Sequence, residues 1–462
     1  MKAFEEKCKF KNIVNLNNKK TTNRKWGIEN KRRIFPSTFC LRSSAIPSIL
    51  PIILFNLNLL LPFSANSQQA LSITEFLAAA KDEATVLLQQ NEVDFLNNTS
   101  HDLPWIEKVE FRTRTDEFDF SQQEYVLRLS PHSPRERKSQ QKYHNSNIRL
   151  HETGQALSIE KGLKKRYELI IDLMYYEELL NKKTALKLVH EDKINVLKKS
   201  VLHVGADIND LIDEEEAFNS LERDIFRIKG TLKSIQREIQ IRMKKEAALQ
   251  LDVKGILNVD DIKLLSPDFF EINTAAHLTL ALQKDKVELI QNQYELEDAE
   301  RRNMFRFVET KYEGKADDIF REKFSVGIGI RLPIKGAAKL KLNELKLEQL
   351  KAENKNQVLE ITLKNEKIKL LDKLQNLLAE YELISKQKEG SQANFSMKQY
   401  VNLADVSAYT LLKIRESLLH KDLQLNRIKY KIYDQYIQLL HLSGKMGTLP
   451  LRNYLSTGLD TF

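Results

Sequence analysis

The chain has 462 residues, of which 30% are charged and 42% hydrophobic, with 14 Gly, 10 Pro and 2 Cys. That composition excludes a collagen-like, low-complexity or disulfide-scaffold protein and requires folding around apolar contacts. A net charge of +9 at pH 7 invites a nucleic-acid partner, but residues 1–67 alone carry twelve Lys and Arg against three Asp and Glu, so the rest is balanced at 61 to 61 and no nucleic acid is expected.

Behind the basic stretch, Ala45 to Leu61 is an apolar run broken by Pro47, Pro51, Asn56 and Asn58, and Ala65-Asn66-Ser67 follows. A short apolar run between a positive region and small residues is the pattern of a secretory signal peptide, with cleavage expected after Ser67. The competing reading is an uncleaved anchor, since about 17–25 apolar residues span a bilayer. Both cysteines, Cys8 and Cys40, lie in this leader, so no later thiol can ligate zinc or an iron–sulfur cluster or act as a nucleophile.

Further on, 108–116 and 124–130 alternate apolar and polar residues, the signature of strands. Val109 and Phe111 fall on one face of the first, and Tyr125, Leu127 and Leu129 on one face of the second. Residues 135–266 hold no proline and are rich in Leu, Lys, Glu, Gln and Ile, which predicts long helices, broken at Val204-Gly205. A weaker strand around Phe305, Phe307 and Glu309 has an apolar face that switches to Val308, Thr310 and Tyr312, so either a bulge intervenes or the strand is partly mis-assigned. Residues 324–332 alternate without error, placing Phe324, Val326, Ile328 and Ile330 on one face. A helix of some 65 residues, about 100 Å long at ~1.5 Å per residue, is expected from Ala337 to about Val401, followed by a break at Asn402-Leu403-Ala404. It carries two heptad series, Leu363, Leu370, Leu377, Ile384 and Leu340, Leu347, Ile361, Ile368, the second with Asn354 in one place. Two stripes require neighbours on two sides, as in a wall of helices, although an ordinary bundle has the same periodicity.

The elements repeat at an offset of about 200 residues. Val126-Leu127-Arg128-Leu129-Ser130-Pro131 matches Gly329-Ile330-Arg331-Leu332-Pro333, and Gly205-Ala206-Asp207-Ile208 matches Leu403-Ala404-Asp405-Val406. The organisation is therefore read as a leader (1–67), a first repeat (68–250), a linker (251–267), a second repeat (268–446) and a tail (447–462). Each repeat runs helix, strand, strand, long helix, break, long helix. Asp207 and Asp405 suit helix N-caps.

Four strands of nine to eleven residues are long enough to cross a bilayer but too few to close a barrel, and an open edge in lipid leaves backbone groups unsatisfied. Strands must then be pooled between chains, and three copies give twelve. At this point the sequence resembles the TolC-type outer-membrane efflux proteins, through the duplicated plan, the passage Ser325 to Gly336, and the tip with Gly205-Ala206-Asp207. The resemblance covers roughly residues 70–446. It implies a mainly α protein with a small membrane β-barrel portion: a homotrimer joining a twelve-stranded barrel in the outer membrane to a long α-helical barrel in the periplasm. It implies export, with docking to a periplasmic adaptor and an inner-membrane pump. The matching hairpin-tip positions are Val204, Gly205, Ala206, Asp207, Asn402, Leu403, Ala404 and Asp405, with Leu403 departing from the glycine common there. Asp207, Asp210 and Asp405 are candidates for an acidic aperture, with helix capping and solvation as the plainer role. The alternating apolar faces (Val109, Phe111, Tyr125, Leu127, Leu129, Phe324, Val326, Ile328, Ile330) are read as lipid-facing, although the core face of a soluble sheet would look the same.

No compact metal motif appears among the nine histidines, there is no Walker A sequence, and Gly327-Ile328-Gly329 lacks the third glycine of a dinucleotide fingerprint. No enzyme activity, metal or cofactor is expected, and any energy for transport comes from a partner. The rival in another class is a membrane-anchored coiled-coil scaffold without transport activity, in which residues 46–62 remain as the anchor. A periplasmic adaptor is disfavoured, because the hairpin plan occurs twice and strands are few.

Overall fold

The computed structural model describes residues 69–115, 123–201, 208–245, 249–253, 255–265, 277–314, 319, 323–331, 337–390 and 407–462. The leader, residues 332–336 and both hairpin tips lie outside them, and with the tips the expectations for Val204, Gly205, Ala206, Asp207, Asn402, Leu403, Ala404 and Asp405. The order is β1 (Gln69–Ser72), α1 (Ile73–Ala78), α2 (Ala84–Asn98), β2 (Ile106–Thr115), β3 (Gln123–Pro131), α3 (Pro134–Val201), α4 (Ile208–Met243) and β4 (Leu249–Asp252). There follow α5 (Val259–Leu265), α6 (Leu278–Arg302), β5 (Phe305–Glu313), β6 (Phe324–Ile330), α7 (Ala337–Glu389) and α8 (Ala408–Leu442). The duplication is direct: α2-β2-β3-α3-α4 and α6-β5-β6-α7-α8.

Helix α3 has 68 residues, about 100 Å at ~1.5 Å per residue. Its start follows from three side chains. Ser133 Oγ accepts from the Glu136 amide at 3.1 Å, Glu136 reaches back to the Ser133 amide at 3.4 Å, and Pro134 occupies the first helical position, a reciprocal cap that satisfies two otherwise orphaned amides. Pro131, expected from the repeat to end a strand and open the long helix, ends β3 but does not open α3. Helix α7 is described for 53 residues, and the last part of the helix expected to reach Val401 lies outside the described residues.

The helices form a wall in which α3 packs on α2, α4, α6 and α8, and α7 packs on α6 and α8. The polar seams are specific: Lys142 to Glu295 at 2.9 Å and Thr153 to Asp285 at 2.6 Å join α3 to α6, Tyr430 to Asp172 at 2.9 Å joins α8 to α3, and Lys183 to Asp224 at 3.0 Å joins α4 to α3. Midway along α3 sits the main core. There the short parallel pair β1–β4 and the C-terminal segment pack with Phe76, Ile170, Ile235, Ile432 and Leu455. Buried Arg166 donates to the carbonyls of Phe76 and Ala79 at 3.0 Å each, and the Tyr167 hydroxyl donates to Arg452 O at 2.9 Å. Strands β1 and β4, four residues each, are too short to show alternation and were not expected from sequence.

Nearer the far end of α3, three helices converge on an ionic square. Lys193 contacts Glu214 of α4 at 2.7 Å and Glu416 of α8 at 2.5 Å, while His190 faces the same two carboxylates at 2.6 and 3.4 Å. Tyr409 adds a hydrogen bond to Glu214 at 3.3 Å. Burial, the largest single influence, disfavours charge on both partners. Nevertheless hydrogen bonds from Lys193 and His190 hold Glu214 below the ordinary value of 4.5, and those to Glu214 and Glu416 hold Lys193 above 10.5. A carboxylate with a depressed pKa stabilises the fold above its unfolded value, and an ammonium with a raised pKa stabilises it below its own. The contribution of the Lys193–Glu214 pair is therefore full between about pH 4.5 and 10.5.

Below about pH 4.5, amide exchange in residues 408–420 should accelerate as Glu214 takes a proton. At neutral pH, Lys193→Met should destabilise the helical body by about 3 kcal/mol or more, because it leaves two carboxylates without their cation. Unchanged exchange and melting for that variant would show the square to be without structural weight.

Candidate functional site: a two-faced sheet and bare helix faces

The four longer strands form one antiparallel sheet in the order β2-β3-β5-β6, so the hairpins of the two repeats join through β3–β5. Residues directly paired across strands share a face. The pairs Val109–Leu129 and Phe111–Leu127, then Leu129–Val308 and Tyr125–Tyr312, then Val308–Ile328 and Tyr312–Phe324, put the apolar set on one face. The pairs Glu110–Arg128, Arg128–Glu309 and Glu309–Gly327 put charge on the other. The expected irregularity in β5 is a register shift between Phe305 and Phe307, beyond which Val308, Thr310 and Tyr312 take over the apolar face.

That apolar face is bare. Val326 is 71% exposed, Ile330 64% and Ile328 59%, and Val109, Phe111, Leu127 and Phe324 are also exposed, with Tyr125 and Leu129 partly so. Among the described residues no helix covers these side chains. Toward the hairpin end, four aromatic rings run across all four strands: Phe111 to Tyr125 at 6.1 Å, Tyr125 to Tyr312 at 6.2 Å and Tyr312 to Phe324 at 5.0 Å. Toward the helical end stand exposed Trp105 and Phe305. From Trp105 to Thr113, eight residues on, is roughly 27 Å along the strand.

On the opposite face, Arg128 pairs with Glu309 at 2.7 Å and with Glu110 at 3.8 Å, and Lys311 spans Glu124 at 3.1 Å and Glu313 at 2.5 Å. The Arg128 guanidinium lies 3.9 Å from the Phe307 ring centre. A Cβ on Gly329 would run into that ring, and one on Gly327 would come within 3.0 Å of Glu309. These glycines make room for large neighbours on a crowded charged face. The ladder and the aromatic row were not foreseen as units. Charges at every second position of 108–114 were the available signal, but cross-strand partners are set by register, which a single sequence does not display.

The wall of helices also ends in bare apolar faces. On α7, Leu363 and Leu377 are buried and Leu370 and Ile384 partly so, whereas Leu340 (66% exposed), Leu347, Ile361 and Ile368 of the second series are exposed, with Leu350 and Val358 beside them. At ~100° per residue the two sets lie on opposite sides of the helix. On α4, exposed Ile208, Ile212, Phe226 and Ile241 likewise oppose buried Leu221, Ile228, Ile235 and Ile239, a face the sequence reading missed because its members are widely spaced. Asp210 is exposed in the first turn of α4, where a carboxylate complements the helix dipole. Among the described residues no helix is long and apolar enough to cross a membrane, and no group of three or more His, Cys, Asp or Glu could hold a metal ion.

No protein-family model and no curated protein matches the sequence. Solved structures match in fold. CusC, solved in the course of work on transmembrane channel formation, superposes with a TM-score of 0.60 at 12% identity, over 80% of this chain and 92% of that one. The outer membrane protein VceC of Vibrio cholerae gives 0.57 at 12% identity over 80% and 96%. The open-state outer membrane channel MtrE of Neisseria gonorrhoeae gives 0.57 at 12% over 80% and 88%. The mainly helical fold with a small antiparallel sheet is thus the fold of the TolC-type outer-membrane channels, as the resemblance in sequence implied.

Proposed function

We propose that this chain is the outer-membrane duct of an efflux or secretion system, a passive and non-enzymatic conduit. The observation that carries the reading is the four-stranded sheet with one bare apolar face, one charged face, and β2 and β6 as outer strands with no partner strand among the described residues. In lipid an unpaired strand edge costs several kcal/mol per backbone group, so the edges must meet those of other copies. Pairing β6 of one copy with β2 of the next is a head-to-tail contact that closes into a ring, and three copies supply a twelve-stranded barrel. Aromatic residues at both ends of an apolar band about 25 Å tall are what the two membrane interfaces favour. The charged face would then line the lumen.

The same head-to-tail step brings the bare stripe of α7 against the α2/α4 edge of its neighbour, continuing the helical wall into a barrel below the membrane. This supports placing the helices in the periplasm, with the lipid-facing set as named from sequence. The hairpin tips at 204–207 and 402–405 are proposed to dock a periplasmic adaptor and through it an inner-membrane pump. Asp207, Asp210 and Asp405, tripled by symmetry, are proposed to ring the aperture.

Fractionation should place the protein in the outer membrane without residues 1–67, and sizing of the detergent extract should give a trimer. A well-behaved monomer, or a protein in the inner membrane retaining its leader, would instead favour the anchored scaffold. Ile328→Asp should block assembly, at a cost below the about 2–4 kcal/mol that a cationic residue incurs at the midplane, whereas Ser325→Asp on the charged face should assemble normally. Equal yields from the two variants would reverse or abolish the assignment of faces. Replacing Leu347 and Ile361 together by Lys should leave monomer helicity intact but reduce the trimer fraction at least tenfold by mass photometry.

A further inference from the structure

Where α3, α6, α7 and α8 meet, the side chains leave a cavity of about 490 Å³, whose lining includes Leu363, Leu370 and Leu442 together with Lys164, His277 and His441. This is within the usual size of small-molecule sites, which combine apolar walls with a few placed polar groups. Its polar side is incompletely satisfied. His277 is 2% exposed, and its Nδ1 accepts the Thr279 amide at 3.2 Å, capping α6. Burial, chiefly, pushes its pKa down, so the neutral ring carries its proton on Nε2. That nitrogen has no hydrogen-bond partner, a costly state for a buried donor. The same tautomer makes Nε2 a donor and not a metal ligand.

The surrounding charges select the sign of what would fill the space. Glu160, wholly buried with Oε1 3.2 Å from His441 Nδ1, has no hydrogen-bond partner on either oxygen among the described residues, and it is not one of the residues that line the cavity. Lys164 and Lys369 at the cavity form no ion pair among the described residues, against a single acidic neighbour, Glu366. The N-terminus of the 25-residue helix α6 adds a further positive end at His277 and Thr279.

We propose that this cavity binds a small organic carboxylate, whose anionic group accepts from His277 Nε2 and Lys164 while its apolar body rests on Leu363, Leu370 and Leu442. The site joins elements of both repeats, so an occupant bridges the two halves of the chain. It stands independently of the duct reading.

The test uses 2-naphthoate, with 2-naphthol and 2-naphthylmethylamine as neutral and cationic counterparts. Equilibrium dialysis is run against the full-length protein, in lipid nanodiscs when it is recovered from membranes and in buffer when it is not, with protein-free samples as the blank. Saturable binding of one naphthoate per chain is expected, at least tenfold tighter than naphthol. His277→Asp keeps a good helix cap but places a like charge at the anion, and it should lose at least tenfold in affinity. Lys164→Gln should weaken binding severalfold, and Leu363→Trp should abolish it by filling the space. Absent saturation, equal binding of naphthol, or tighter binding of the amine would overturn the proposal. So would affinity unchanged in both His277→Asp and Leu363→Trp.

Discussion

The structure depends on one constraint: a backbone amide or carbonyl deprived of water must find a partner elsewhere in protein. Most of this chain meets it internally, through helices up to 68 residues long and through caps such as that of Ser133 and Glu136. The four-stranded sheet meets it only in part. Its two inner strands have a partner on each side, meeting each other over Glu124–Leu129 and Val308–Glu313, and its two outer strands present rows of donors and acceptors on one side. An exposed edge beside a wide apolar face is a liability in water. In the proposed setting that liability specifies assembly.

The helical wall repeats the same logic with side chains in place of backbone. A helix apolar on two opposed sides, such as α7 or α4, is over-provided for a solitary chain. Inside the molecule the seams are mixed: polar pairs such as Lys142–Glu295 and Thr153–Asp285 alternate with buried leucines. The bare stripe of α7 is dominated by large aliphatic residues, whereas that of α4 intersperses Ile208, Ile212, Phe226 and Ile241 among charged ones. The ionic square of His190, Lys193, Glu214 and Glu416 has another use. Removing Lys193 leaves two carboxylates without their cation, so the cluster fixes how α4 and α8 lie on α3 more than it adds to net stability.

Much of this was legible before any coordinates. The alternation in 324–332 fixed β6 to within two residues, and the face switch between Phe307 and Val308 announced the bulge. The two heptad series of α7 divided cleanly into a packed and a bare side, as two sets of neighbours require. The rest was hidden for identifiable reasons. β1 and β4 are each too short to carry a period, and their pairing joins residues about 180 apart. The Glu110–Arg128–Glu309 ladder exists only once three strands are in register. The outer face of α4 is diluted by charged residues, and the cavity at His277 is a property of four helices together.

Because the proposed seam joins unlike edges, no two copies can satisfy one another face to face. Each must accept a neighbour on one flank and offer the other. Co-producing a defective copy with intact ones would therefore spoil whole rings rather than single members, since one faulty flank leaves the circle unclosed. A lesion in either outer strand would behave genetically as a poison, not as a simple loss.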